Sequence, residues 1–205
     1  MNPSRNLTDI IWLDRTDSTN NALRAMSEGM DNLSVLAARE QSSGRGLGDH
    51  SWCSDPGMNL TFSMLLRPAA LEARDLVCIT CGTTLGIRDY LLEKGVMARI
   101  KWPNDIWVEG RKICGILIEN TLHAQMIARS IIGVGFNLNQ TVWPADLPNP
   151  VSLKQLTGED YSPRAELEDL VQKIRRRLVL VDFPDGRKEL QEEFGKYVFR
   201  LPSKP

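Results

Sequence analysis

Apolar positions come in short alternating runs along much of the chain, and helical spacing is confined to a central stretch and the tail. Ile10–Leu13 is an apolar run that reads as a strand. A polar stretch and a short helical segment over 20–29 follow, with Ser18 or Thr19 as N-cap and Gly29 as terminator. Residues 34–41 form a second strand, 42–52 a glycine-containing loop and 54–57 a turn. Over 59–68, Leu60, Phe62 and Met64 alternate with Thr61 and Ser63, the pattern of a strand buried on one face. From 71 to 94 apolar residues recur at helical spacing (Leu76, Ile79, Leu85, Leu91, Leu92), and Gly95 stands at C′, so this is a long core helix.

A hairpin follows: 98–102, a bend at Pro103-Asn104-Asp105, 106–108, a turn at Glu109-Gly110, then 112–120. Another apolar strand, 126–139, ends in alternating glycine and asparagine, and 141–157 is a proline-rich loop. A helix starts at Ser162-Pro163, with Glu166 and Glu168 near its positive end, and a second lies around 188–197. The order of elements predicts an α+β fold, with a mixed, mostly antiparallel β-sheet packed against helices.

At 205 residues the chain suits one domain, 1–205, and its 42% hydrophobic and 25% charged residues are those of a globular protein. A net charge of −1, with both signs interspersed, leaves no electrostatic footprint for nucleic acid. There is neither an apolar run of the ~20 residues a membrane span needs nor a signal-peptide pattern at the N-terminus, so a membrane is not an expected partner and the cytosol is the expected location. There, Cys53, Cys78, Cys81 and Cys114 remain thiols. Cys78 and Cys81 have a zinc or redox spacing, but they share a helix face and no second pair follows, which favours core packing.

Several clusters are able to carry chemistry, each with a plainer reading beside it. Gly44-Arg45-Gly46-Leu47-Gly48 is either a bare turn or an anion cradle with Arg45 as its cation; it lacks the Lys-Ser/Thr of a Walker loop. Pro103-Asn104-Asp105 is either a turn or a place where Asn104 and Asp105 orient a ligand or help hold Mg²⁺ near a phosphate. Lys112 shares strand parity with Cys114, Ile116 and Ile118, so it projects to their apolar side or snorkels to water. Gly115 marks a close approach or a bulge, and Gly133-Val134-Gly135-Phe136-Asn137 allows nucleotide approach or strand packing. Ser18-Thr19-Asn20 caps a helix, and Trp52 walls a flat ligand or fills core.

Together, in this order and spacing, Ser18-Thr19-Asn20, Gln41 with Gly44-Arg45-Gly46 and Trp52, Lys101-Trp102-Pro103-Asn104-Asp105, Lys112 with Gly115–Glu119, and Gly133–Asn137 make the sequence resemble the biotin protein ligase family over about residues 9–140. The resemblance implies the biotin/lipoyl ligase fold, which is like that of class II aminoacyl-tRNA synthetases. It implies activation of biotin by ATP to biotinyl-5′-AMP, then transfer to a lysine of a biotin carboxyl carrier protein domain. By position, Ser18, Thr19, Asn20, Gln41, Gly44, Gly46, Leu47, Trp52 and Gly115 would line the biotin site, and Lys112 and Arg45 would be catalytic. Asn104, Asp105 and Asn137 would face the nucleotide, Asp105 orienting the Mg²⁺ that accompanies ATP. No tightly bound prosthetic group is implied.

The family loop commonly reads Gly-Arg-Gly-x-x-Gly. Here its last glycine is displaced to Gly48, and Leu47 replaces a frequent arginine or glutamine, which implies weaker loop closure. The resemblance also implies that the small SH3-like C-terminal domain of most members is absent. Too few residues precede Ser18 for a helix-turn-helix module, so a repressor role is not expected. Two rivals stand beside the ligase: a lipoyl or octanoyl transferase of the same superfamily, and a degenerate domain that binds biotin without transferring it.

Overall fold

A computed structural model describes residues 10–201. In chain order the strands are β1 (Ile10–Thr16), β2 (Val35–Gln41), β3 (Leu60–Leu66), β4 (Arg99–Lys101), β5 (Asp105–Val108), β6 (Arg111–His123), β7 (Met126–Phe136) and β8 (Val198–Phe199). The α-helices are α1 (Thr19–Met26), α2 (Val77–Glu93), α3 (Leu153–Thr157), α4 (Pro163–Leu178) and α5 (Pro184–Tyr197). The strands form one sheet in the order β1-β2-β3-β7-β6-β5-β4-β8, antiparallel except for the pairs β1/β2 and β4/β8.

Register sorts the sheet into two faces. The row Phe62–Val134–Ile116 points back into the main core, where α2, α4 and α5 pack. On the front, Leu65 and Ile131 join Leu23 of α1 and Leu36 in a small second core. Beyond the intervening row Ser63–Gly133–Leu117 lies the row Thr61–Gly135–Gly115–Asp105, whose central members carry no side chain. Since α1 covers only part of the front, the glycine row is left as the floor of a cavity.

Several expected elements differ in the structure. All seven residues of β3 are buried, Thr61 and Ser63 included, because helices back one face while α1 and the cavity wall cover the other. The central α-helix begins at Val77 rather than Leu71; a 3₁₀ turn, Ala73–Asp75, precedes it. Ile79, Leu85 and Leu91 are buried as their spacing predicts, but Leu76 and Leu92 face solvent. Gly95 does close this helix, at φ 75°. The proline-rich stretch contains α3, which is started by a reciprocal capping box between Ser152 and Gln155. The last helix begins at Pro184, four residues before the expected start. Cys78 and Cys81 are buried thiols in α2, and burial pushes both up, Cys81 to about 12. Among the described residues no three His, Cys, Asp or Glu cluster to hold a metal ion, and no helix is long and apolar enough to cross a membrane.

The helical layer is anchored where α2 meets α4. A Cβ on Gly86 would lie 2.6 Å from Ile174 Cα and 2.8 Å from its N, so backbone faces backbone there. Gly86→Ala should therefore cost about 1–3 kcal/mol despite alanine's better helix propensity, lowering the melting temperature by roughly 5 °C in a thermal scan. Gly29→Ala, with nothing within 4 Å of its new methyl, serves as the neutral control.

Candidate active site

The cavity has a volume of about 600 Å³ and is lined from three directions. Its floor is the glycine row, its upper wall is the loop 44–52, and its outer rim includes Trp143, Leu147 and Pro148. The end of β1 and the start of α1 supply one end wall. Ser18, at the N-cap position in extended conformation, is nearly fully buried and its hydroxyl makes no capping bond, so the plain capping role does not hold for its side chain. Gln41 Oε1 accepts from the Thr19 backbone N–H at 2.8 Å and fixes the start of α1.

Asn20 is held on every side. Ser63 Oγ lies 2.6 Å from Asn20 Oδ1 and 2.8 Å from Thr19 Oγ1. Asn20 Nδ2 donates to Glu119 Oε2 at 2.8 Å. A Cβ on Gly133 would come within 2.3 Å of Asn20 Oδ1, so glycine is what lets the amide rest on the sheet. Ser18-Thr19-Asn20 thus starts α1 with Ser18 as N-cap, as expected, and also forms a rigid polar corner of the cavity.

The loop 44–52 closes on itself. Trp52 N–H donates to Gly44 O at 3.0 Å, and Gly46 N–H donates to His50 O at 2.7 Å. A Cβ on Gly44 would fall 2.3 Å from Trp52 O, so that glycine is required by close approach of the loop to itself. The Gly46 amide is therefore engaged within the loop. The loop delivers Trp52 onto the floor: its indole lies where Cβ atoms on Gly135 and Gly115 would be, 2.2 and 3.0 Å from the nearest ring atoms. The indole Nε1 is buried with no partner, a donor available to a ligand.

Lys112 departs from its expected side. Between Ile106 and Trp107 the β5/β6 register shifts, with Ile106 opposite Cys114 but Trp107 opposite Lys112. Ile113 is thus an extra residue, a β-bulge that breaks the two-residue alternation. Cys114 and Ile116 stay in the core, while the Lys112 side chain swings over Gly115 on the front face. Its Nζ sits 2.7 Å from Asp105 Oδ1 in an ion pair not aligned as a hydrogen bond, and 5.6 Å from the centre of the Trp52 ring. Asp105 is nearly buried, and its other oxygen lies 3.3 Å from Lys101 Nζ.

The two asparagines brace this end. Asn104 Nδ2 donates to Ile116 O at 3.0 Å, tying the bend to β6. Asn137 Nδ2 donates to the backbone oxygens of Lys112 and Val151 at 3.2 and 3.0 Å, holding the bulge against the segment 149–151. Arg45 stands elsewhere: its Nη2 is 3.1 Å from Glu119 Oε1, and its Nη1 donates to Asn21 Oδ1 at 3.2 Å.

A glycine-floored cavity with a lysine and carboxylate at one end and a polar corner at the other is the arrangement expected from the motifs. The model of the biotin/lipoate A/B protein ligase family matches residues 12–137. The chain belongs to this family. Among curated proteins, the biotin--[acetyl-CoA-carboxylase] ligase of Paracoccus denitrificans is 34% identical over 174 residues, 80% of this chain and 70% of that protein. The bifunctional ligase/repressor of Bacillus subtilis is 30% identical over 151 residues, 70% of this chain but only 45% of its own length. Among solved structures, the biotin protein ligase of Aquifex aeolicus in complex with biotin and ATP superposes with a TM-score of 0.80 at 26% identity, covering 93% of this chain and 78% of that one. The Leishmania major biotin protein ligase, with a TM-score of 0.74 at 23% identity over 96% of this chain and 86% of that one, shares the fold.

In this biotin/lipoate ligase domain the cavity brings together every residue assigned to the biotin site, the nucleotide or catalysis from the sequence except Gly44, and Arg45 lines it while its guanidinium pairs with Glu119. Sequence reasoning missed Trp143, whose indole N–H donates to Gln155 Oε1 at 3.2 Å, and the Asn149–Val151 segment that grips Lys112. The only local signal was the capping pair Ser152/Gln155, which anchors that rim. It placed Lys101 and Glu119 within motifs but gave no role to Lys101 as a second lining cation or to Glu119, where the corner and the loop meet.

Proposed function

We propose that this domain activates biotin with ATP and passes the biotinyl group to a lysine of a carrier domain, in the cytosol. The observation that supports the reading best is the bulge that sets the Lys112 ammonium beside Asp105 at one end of a floor made of bare backbone. The compact bicyclic ring of biotin would lie against the indole that covers this floor, and its ureido group would meet Ser18, Thr19, Asn20 and Gln41. Its carboxylate would then point towards Lys112. A carboxylate oxygen attacks the α-phosphorus of ATP, the bond to the bridging oxygen of the β-phosphate breaks, and pyrophosphate leaves. The neutral acceptor amine next attacks the acyl carbon, AMP leaves, and the ammonium proton is lost to water. Attack of one anion on another depends on positioned cations more than on proton transfer.

The residues present do not make a resident Mg²⁺ site. Asp105 is the one carboxylate lining the cavity among the described residues, and both its oxygens face lysines. Mg²⁺ belongs to the ATP substrate in this reading, and the role of Asp105 is to hold Lys101 and Lys112 in place.

Biotin-dependent ATP–pyrophosphate exchange, followed by mass measurement of an incubated carrier domain, tests the reading. Exchange and a gain of one biotinyl group are expected. Exchange with lipoate in place of biotin would transfer the assignment to the lipoyl branch. Thermal stabilisation by biotin without exchange would make the domain a binding module.

A further inference from the structure

The two cations suited to neutralising the reacting phosphate stand apart. The Lys112 ammonium lies over Gly115, four positions or roughly 13 Å along β6 from Glu119, and Arg45 is bound at the Glu119 end. In this conformation Arg45 does not share an anion with Lys112. We propose that Glu119 is a positioning residue that parks Arg45 away from the reacting phosphate and releases it when substrate fills the cavity. The proposal rests on the ligase reading above.

The geometry suits a hold that can be undone. The Glu119 carboxylate bridges three elements: it accepts from Asn20 at the cavity corner, pairs with Arg24 of α1 at 2.6 Å, and pairs with Arg45 of the loop at 3.1 Å. The side chain of Arg45 is 44% exposed, so its ion pair is weak and screened. When Arg45 departs, Arg24 and Asn20 still satisfy the carboxylate, and no uncompensated charge is left behind. Because Asn20 shares that carboxylate, a ligand pressing on the corner also acts on the group that holds the loop. Asn21 Oδ1 supplies a lesser second hold on Arg45. The charged groups around Glu119 keep its carboxyl ionised: burial opposes ionisation, but Asn20, Arg24 and Arg45 together outweigh it and lower its pKa.

Glu119→Gln keeps an oxygen for Asn20 and Arg24 but removes the charge that holds Arg45. In the ligand-free protein, trypsin cleavage after Arg45 should quicken by about fivefold, the factor a weak surface pair supports. The apparent KM for ATP in pyrophosphate exchange should fall, since Arg45 no longer has a competing anion. Asn21→Ala, which leaves Glu119 and Asn20 untouched, should move both readings the same way by a smaller factor. Unchanged cleavage and unchanged KM for ATP in both variants would overturn the proposal. So would a rise in KM for biotin alone, which would assign Glu119 to the cavity corner only. If the unaltered protein gives no exchange at all, the ligase reading fails, while the cleavage comparison still decides whether Glu119 holds Arg45.

Discussion

Lys112→Ala lowers the rate of biotin-dependent ATP–pyrophosphate exchange by about 10²–10³-fold, the expected loss when one preorganised charge-stabilising group is removed. The Lys112 ammonium meets the cavity beside the glycine row, where the carboxylate and α-phosphate would come together. Folding should be largely spared. The lysine's backbone bonds to Asn149, Val151 and Asn137 do not involve its side chain, and Asp105 keeps Lys101 as counter-ion. Biotin-induced thermal stabilisation should therefore persist while exchange is lost. If instead both disappear together, Lys112 supports the fold rather than the reaction.

Gly135→Val should weaken biotin binding by about tenfold to a hundredfold, the equivalent of the 1–3 kcal/mol that overpacking typically costs. A Cβ at this position would lie 2.2, 2.5 and 2.6 Å from three atoms of the Trp52 indole, so the ring has to leave its seat before any ligand competes for the space. Gly115→Ala makes a milder test. The Cβ there would lie 3.0 Å from Trp52 Cζ3 and 3.1 Å from the mobile end of Lys112, so its effect should be smaller. Isothermal titration with biotin checks both, and equal affinities for the Gly135→Val and unaltered proteins would mean that Trp52 does not wall the ligand.

Much of this architecture was legible in the sequence, and the misses share a cause. The turn at Glu109-Gly110 was readable because two positive-φ positions between strands call for that kind of dipeptide, and they stand at 50° and 76°. The motif residues were readable as a set because their order is specific. Lys112 was assigned to the wrong side because alternation assumes an unbroken ladder, and the bulge at Ile113 depends on how β5 and β6 pair. Thr61 and Ser63 looked like a solvent face because they are polar; only the tertiary placement of α1 shows that Ser63 is buried to hold Asn20. Arg45 was read as free to reach a phosphate, since Glu119 lies 74 residues further on and nothing local joins them. Helix boundaries slipped for a related reason: apolar residues such as Leu71 continue the helical period into a segment that holds an extended Glu72 and a 3₁₀ turn instead of α-helix.

The cavity's floor and its walls belong to different parts of the molecule's stability. The floor consists of the middle of β6 and β7, whose amides are paired within the longest ladder of the sheet. Their hydrogens should exchange with solvent only when the whole domain unfolds. The loop 44–52 and the segment 141–150 are held by a few surface bonds and should exchange by local opening. Binding a small ligand would then leave the platform unaltered and slow exchange only in its two covers, so the ordering cost of binding falls on about twenty residues at the surface.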